Sequence, residues 1–276
     1  MKIIENKIHI GIEKPFTFMH VSDTHICRAD ARNDERKIQL AENRAAYFDT
    51  AEVDYQEIIN TAQREQLMVA HTGDLIDFVS EANLEGAAAM NEAVDLFMAA
   101  GNHEFSQYVG EAKEDAAYRN QSLAHVQESF KNDIRFASRI INGVNLIVID
   151  NSYYLFEQWQ LDRLREECAK GLPMLLFMHT PLYNEETYEF TQRIQPGAPA
   201  YLMAVPEVKM GHYTKDRVEQ QRADAVTWEA DRYIKENPMI KGIFTGHIHY
   251  DFETMLTEIL PQYATGIGTI RRITVD

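Results

Sequence analysis

Two cysteines in 276 residues, Cys27 and Cys168, allow at most one disulfide. A chain of this length can bury enough core to need none, so nothing points to an oxidising compartment. Positive charge is scarce: 27 Lys and Arg stand against 43 Asp and Glu, a formal net charge of -16. That balance repels phosphate backbones and anionic lipid over most of the molecule, which disfavours broad binding to long nucleic acid or to a membrane surface. No apolar run approaches the roughly 20 residues of a bilayer span, and the stretch from Met1 to Gly11 is too charged for a signal-peptide core. The expectation is a cytoplasmic protein. Fixed-period repeats and low-complexity segments are also lacking. What is present, 45% hydrophobic and 25% charged residues, matches a globular chain. One domain spanning 1–276, with insertions, is the reading that this length favours.

Along the chain, short apolar runs alternate with helical patterns. Ile8, Ile10 and Ile12 alternate with His9 and Gly11 and read as a strand, and Phe16 to Val21 reads as a second. Asn33 to Gln66, without Pro or Gly, predicts one long helix or two in series. Leu67 to His71 and Leu96 to Ala100 are further strands, with Ser80 capping a helix to about Val94 between them. A helical stretch is expected from Ser106 to Phe130. Asn142-Gly143 between Phe136–Ile141 and Val144–Asp150 is a hairpin signal, because both turn residues tolerate positive φ. Gln158 to Lys170 reads as a helix, Met174 to Met178 as a strand, Asp216 to Glu236 as a helix and Ile240 to Thr245 as a strand. Leu182 to Met210 shows no clear period and reads as an inserted loop or small cap, about 182–215.

Five of these strands end in polar clusters: Ser22-Asp23-Thr24-His25, Gly73-Asp74-Leu75-Ile76-Asp77, Gly101-Asn102-His103-Glu104, His179-Thr180 and Gly246-His247-Ile248-His249. If the strands share a C-terminal edge, carboxylates, imidazoles and one amide oxygen meet at one point. Such a mixed nitrogen and oxygen set suits Mn, Fe or Zn better than Ca or Cu(I). It is too large for one ion, and a carboxylate can bridge two ions about 3.5 to 4 Å apart.

In this order, the five blocks resemble the signature of the calcineurin-like metallophosphoesterases, over about Phe16 to Asp251. The resemblance implies an α/β fold of two mixed β-sheets packed as a sandwich flanked by helices, four layers αββα. It implies one divalent ion held by Asp23, His25 and His249, a second held by Asn102, His179 and His247, and Asp74 bridging both. A hydroxide shared between the ions would attack phosphorus in line with the leaving oxygen. His103 would protonate or stabilise that oxygen, with Asp77 as its partner. Protein serine/threonine phosphatases of this superfamily carry arginine where this chain has Phe78 and Ala100, and purple acid phosphatases carry a metal-binding tyrosine where it has Asp77. Both subfamilies are therefore disfavoured. The expected substrate is a small phosphodiester. A phosphatase acting on a small phosphorylated metabolite or phosphopeptide is one alternative, and a metal-bound but inactive binding protein is another.

Other residues carry weaker signals. Arg28 and Arg32 follow the first block and could hold a substrate phosphate or form a solvated charged loop. His212, in the irregular insert, is a candidate substrate contact. Tyr183, Tyr188, Tyr201 and Tyr213 could line a stacking pocket or pack the cap's own small core. His9, His20, His71 and His125 read as structural, and Cys27 as a buried bystander.

Overall fold

The computed structural model describes residues 1–110 and 114–276. Among them, eleven strands form two mixed sheets. The first contains β1 (Lys2–Ile8), β2 (Phe16–Val21), β3 (Met68–His71), β4 (Leu96–Met98) and, near the end of the chain, β11 (Thr269–Val275), in the order β1-β11-β2-β3-β4. The second contains β5 (Phe136–Ile141), β6 (Val144–Ile149), β7 (Met174–Phe177), β8 (Ile240–Thr245), β9 (Phe252–Met255) and β10 (Pro261–Ala264), in the order β5-β6-β7-β8-β10-β9.

The period of two along each strand sorts side chains between layers. On β2, Phe18 faces the space between the sheets while Met19 and Val21 face outward. On β7, Leu175 and Phe177 point inward while Met174 and Leu176 point outward. The outward side chains of the first sheet are covered by α2 (Ala51–Glu65) and α3 (Glu81–Ala93), through Ile58, Ile59, Leu84 and Met90. Those of the second are covered by α5 (Gln158–Cys168) and α8 (Ala225–Glu236), through Leu161, Leu164, Ala230 and Ile234. Helix, sheet, sheet and helix give the expected four layers. Strands buried on both faces explain why these segments read as continuous apolar runs.

The region after β2 folds as two helices in series, α1 (Glu35–Tyr47) followed by α2. The Asp34 side chain caps α1 and that of Ser80 caps α3. Asn142 and Gly143 adopt φ of 48° and 86°, as the hairpin turn between β5 and β6 requires. Several boundaries differ from expectation. The first strand is Lys2–Ile8, paired in parallel with β11, and Ile10 and Ile12 lie beyond it against the inter-sheet core. Of the helical stretch expected over Ser106–Phe130, α4 (Ala116–Gln127) forms, with a turn at His103–Phe105 preceding it, and positions 111–113 lie outside the described residues. The insert contains a helix, α6 (Glu185–Ile194), capped by Asn184. The expected helix over Asp216–Glu236 is broken into α7 (Lys215–Gln221) and α8, because Asp224 starts a new helix by capping Thr227.

Candidate active site

Within the first sheet β2, β3 and β4 run parallel, and within the second β6, β7 and β8 run parallel. Their carboxyl ends therefore deliver the polar blocks to one edge. Asp23 and His25 follow β2, Asp74 follows β3, Asn102 and His103 follow β4, His179 follows β7, and His247 and His249 follow β8. The loops turn sharply to aim these side chains. Asp23, His25, Asp74, His247 and His249 all have left-handed backbone, with φ between 50° and 68°. Such φ costs a non-glycine residue of order 1–3 kcal/mol and persists only where its surroundings over-determine it. Close packing also fixes Gly246. A Cβ there would sit 1.8 Å from Ser22 Oγ and 2.3 Å from an Asp23 carboxylate oxygen.

Two groups of donor atoms form around Asp74. One comprises Asp23, His25, Asp74 and His249; the other comprises Asp74, His179 and His247, beside Asn102. Asp74 Oδ2 is 3.2 Å from His179 Nε2 and 3.7 Å from His25 Nε2. The other oxygen, Oδ1, accepts the His103 main-chain N–H at 2.9 Å. One oxygen is thus fixed by the backbone and the other stands between the two groups.

The imidazoles are oriented from behind. His179 Nδ1 donates to Thr72 O at 2.7 Å and His25 Nδ1 to Asp77 Oδ1 at 2.9 Å. Phe48 stacks on the His25 ring at 4.1 Å. His247 is held through Nε2 by the Tyr154 hydroxyl at 2.8 Å, so its Nδ1 faces the centre. The nitrogens left over crowd one another: His25 and His249 Nε2 are 3.2 Å apart, and His247 Nδ1 and His179 Nε2 are 3.0 Å apart.

Electrostatics follows from burial and these contacts. Burial works against ionisation of Asp23 and Asp74, yet the facing imidazoles outweigh it and hold both carboxyls far below the usual range. Burial depresses His247, and takes His249 down to about 4, so both rings present lone pairs. For His25 and His179 burial is overcome by the adjoining carboxylates, which raise the former and push the latter up to about 9. The carboxylates thus leave the centre rich in negative charge and facing lone pairs. Divalent cations would neutralise the first and satisfy the second, so the donor set fits a pair of such ions.

Residues 16–251 match the calcineurin-like phosphoesterase family. The chain belongs to that family. It is therefore a hydrolase of phosphoester bonds, of a kind that works with a pair of divalent metal ions. No curated protein matches the sequence. Among solved structures it is similar to a dimetal phosphatase from Danio rerio, at 14% identity and a TM-score of 0.54, over 92% of this chain and 88% of that one. It is also similar to the NAD nucleotidase of Haemophilus influenzae (13%, TM-score 0.44, 92% of this chain and 45% of that one) and the phosphopantetheinyl hydrolase of Mycobacterium tuberculosis (11%, TM-score 0.42, 95% and 90%).

In this calcineurin-like phosphoesterase the centre opens into a cavity of about 920 Å³. Asp74, Asn102, His103, His247 and His249 line its floor; Thr191, Ile194, Pro199 and Tyr201 of the insert line a wall. His103 donates from Nδ1 to the Asp77 main-chain oxygen at 2.7 Å, with the Asp77 carboxylate at 3.2 Å. That carboxylate is shared: Arg44 grips it at 2.6 and 2.8 Å, and His25 is its third partner. Burial opposes charge on His103, but Asp74 and Asp77 push its pKa up to about 10.

Arg28, Arg32 and His212 are not among the residues that line the cavity. Arg28 is paired with Glu52, and Arg32 with Asp30 and Glu85. These carboxylates, brought in largely by α2 and α3, make a charged loop of them. His212 is exposed and lies 3.2 Å from Ala198 O. Tyr183, Tyr188 and Tyr213 pack the small core of the insert, and Tyr201 alone of the four reaches the cavity. Phe78 and Ala100 are buried in apolar clusters. His20 and His71 are buried and bonded to Thr72 and Thr24, while His9 and His125 pair with Asp276 and Glu81. Cys27 is buried and donates to His25 O.

Sequence reasoning missed Arg44, Tyr154, Asn151 and the role of Glu104. Asn151 Oδ1 accepts the main-chain N–H of His179 and Thr180. The signal for Asn151 and Tyr154 was present, since the apolar run of β6 also ends in a polar block, Asp150-Asn151-Ser152-Tyr153-Tyr154. Glu104 is fully buried, and its carboxylate accepts main-chain N–H from Asp74, Leu75, Ile76 and Gly101 at 2.7 to 3.3 Å. Each such donor left unpaired would cost roughly 1–3 kcal/mol, so this grip outweighs any single contact at the rim.

Proposed function

We propose that this chain hydrolyses a small phosphodiester, with Asp23, His25 and His249 holding one ion, Asn102, His179 and His247 the other, and Asp74 bridging. The observation that carries this reading is the placement of Asp74 Oδ2 between two groups of inward-facing donors. Divalent ions at those positions supply Lewis-acid charge and lower the pKa of water towards neutrality. The protein's part is orientation and proton supply. With Nδ1 committed to Asp77, His103 has Nε2 left to protonate the leaving oxygen. Arg44 and Asp77 hold the His25 ring in its tautomer, and Tyr154 does the same for His247.

Charge supports a diester over a monoester. Among the described residues, the cationic side chains lining the cavity beyond the histidines are Arg119 and Arg217. Arg119 is held by Glu157 and Asp150, and Arg217 lies 3.8 Å from Glu114. Both face carboxylates, so much of their charge is offset before the second negative charge of a monoester arrives. The volume, with Tyr47, Tyr108, Tyr201 and Tyr250 around it, accommodates an organic group on each side of phosphorus. On this reading residues 1–276 are one catalytic unit, and the 182–215 insert is the cap that selects the substrate. Among the described residues no helix is long and apolar enough to cross a membrane.

Rates on p-nitrophenyl phosphate and on its bis-ester, after defined loading with Mn, Fe or Zn, test the substrate class. The bis-ester should turn over faster, with activity lost on chelation and regained with one of these metals. Faster hydrolysis of the monoester would overturn the diester reading. Tyr154→Phe leaves His247 Nε2 without its partner and is expected to weaken metal binding roughly 10-fold or more, read by titration with Mn(II).

A further inference from the structure

The amide of Asn102 raises a question that the candidate ligand set leaves open. Its oxygen and nitrogen are nearly isosteric, and only the oxygen can serve a cation. Something must therefore choose which face is turned inward. Asn102 Oδ1 lies 3.2 Å from His179 Nε2, on the side of the centre, and Nδ2 donates to Glu114 Oε1 at 2.9 Å. Burial raises the pKa of Glu114, but its donors from Gln220 and the nearby Arg217 favour the ionised form, and an ionised carboxylate offers acceptors alone, so it receives the NH2 edge of Asn102 and not the oxygen edge. Glu114 is itself gripped from α7. Gln220 Nε2 donates to Glu114 Oε2, Arg217 lies 3.8 Å from the same oxygen, and Arg217 in turn donates to Gln220 Oε1.

We infer that Glu114 is a positioning residue that selects the oxygen face of Asn102 for one of the two ions, and that Gln220 and Arg217 of α7 hold it there. The inference rests on the proposed ligand set. It adds a connection that the set does not contain: the helix following the insert reaches the centre through two side-chain steps, Gln220 to Glu114 and Glu114 to Asn102. Glu114, Gln220, Arg217 and Asn102 all line the cavity, so the same residues form part of the wall that substrate meets.

The test is titration of the metal-free full chain with Mn(II), followed by calorimetry and by the electron paramagnetic resonance signature of a coupled Mn pair. Wild type should bind two ions and give the coupled signal. Glu114→Leu should weaken one ion 10- to 100-fold, the range for losing a group that orients a ligand, and leave the other unchanged. At intermediate Mn(II) it should give the spectrum of an isolated ion. Glu114→Gln keeps the shape and one acceptor oxygen but can also turn its NH2 to Asn102, so it should recover only part of the loss, whereas a purely steric role would recover all of it. Should Glu114→Leu fail to fold, Gln220→Leu reads the same link from α7 and should weaken the same ion by a smaller factor. Two ions bound as tightly as in wild type by Glu114→Leu, or by Gln220→Leu where that variant carries the test, would overturn the inference while leaving the metal centre intact. Fewer than two ions bound by wild type would instead remove the ligand set itself, and the inference with it.

Discussion

Asp74→Asn is expected to lower hydrolysis by at least roughly 10³-fold, about 4 kcal/mol of transition-state stabilisation, and to reduce bound metal. The substitution keeps the shape of the side chain. Asn can still accept the His103 main-chain N–H with its one oxygen, which leaves an NH2 where Oδ2 stands between His25 and His179. Turned the other way, it presents an oxygen to the centre and loses the bond to His103. Neither arrangement supplies the charge or the second acceptor. The left-handed backbone at this position, φ 56°, is one that Asn adopts readily, so the fold should be spared. Metal content by mass spectrometry, turnover and thermal unfolding together check this. An active variant with both ions retained would exclude a bridging role for Asp74.

His103→Ala should behave differently. Its main-chain N–H remains to hold Asp74 Oδ1, and the Asp77 carboxylate keeps Arg44 and His25, so both ions should stay bound. Turnover of esters with poor leaving groups should fall about 10²- to 10⁴-fold, the usual value of a positioned general acid. Activated aryl esters, whose leaving oxygen needs no proton, should lose much less. Equal losses on both kinds of substrate would assign His103 to binding and remove the acid role.

Both experiments concern residues that could be found in the sequence, for a local reason. A doubly buried strand reads as an unbroken apolar run, so a carboxylate or imidazole within two residues of its end stands out, as Asp23 does after Val21 and His179 after Met178. The same runs marked the strands, and the sandwich they form was legible through the family resemblance of the blocks at their ends. Residues that act across the chain left no such mark. Arg44 belongs to a polar helix that looks like any solvated surface until the fold lays it on Asp77, 33 residues away. Glu114 meets Gln220 across 106 residues. Arg28 and Arg32 show the limit of nearness in sequence: it left a phosphate contact and a charged loop both open, and Glu52 and Glu85 pair with them across the fold. Helix α6 escaped notice because prolines cluster just beyond it, at Pro196 and Pro199, and hide its short period.

The carboxylate of Glu104 has a consequence for how the catalytic edge moves. Loops that carry chemistry commonly belong to the least protected part of a protein and open independently of the scaffold. Here four amides from two different crossover loops close on one buried carboxyl. The segments bearing Asp74 and Asn102 are thereby joined into one cooperative unit with the sheet beneath them. Opening either would pull the shared carboxyl away from amides of both, so the edge is an extension of the core. Breathing that admits substrate and releases product is then expected in the rest of the cavity lining, part of which the insert supplies.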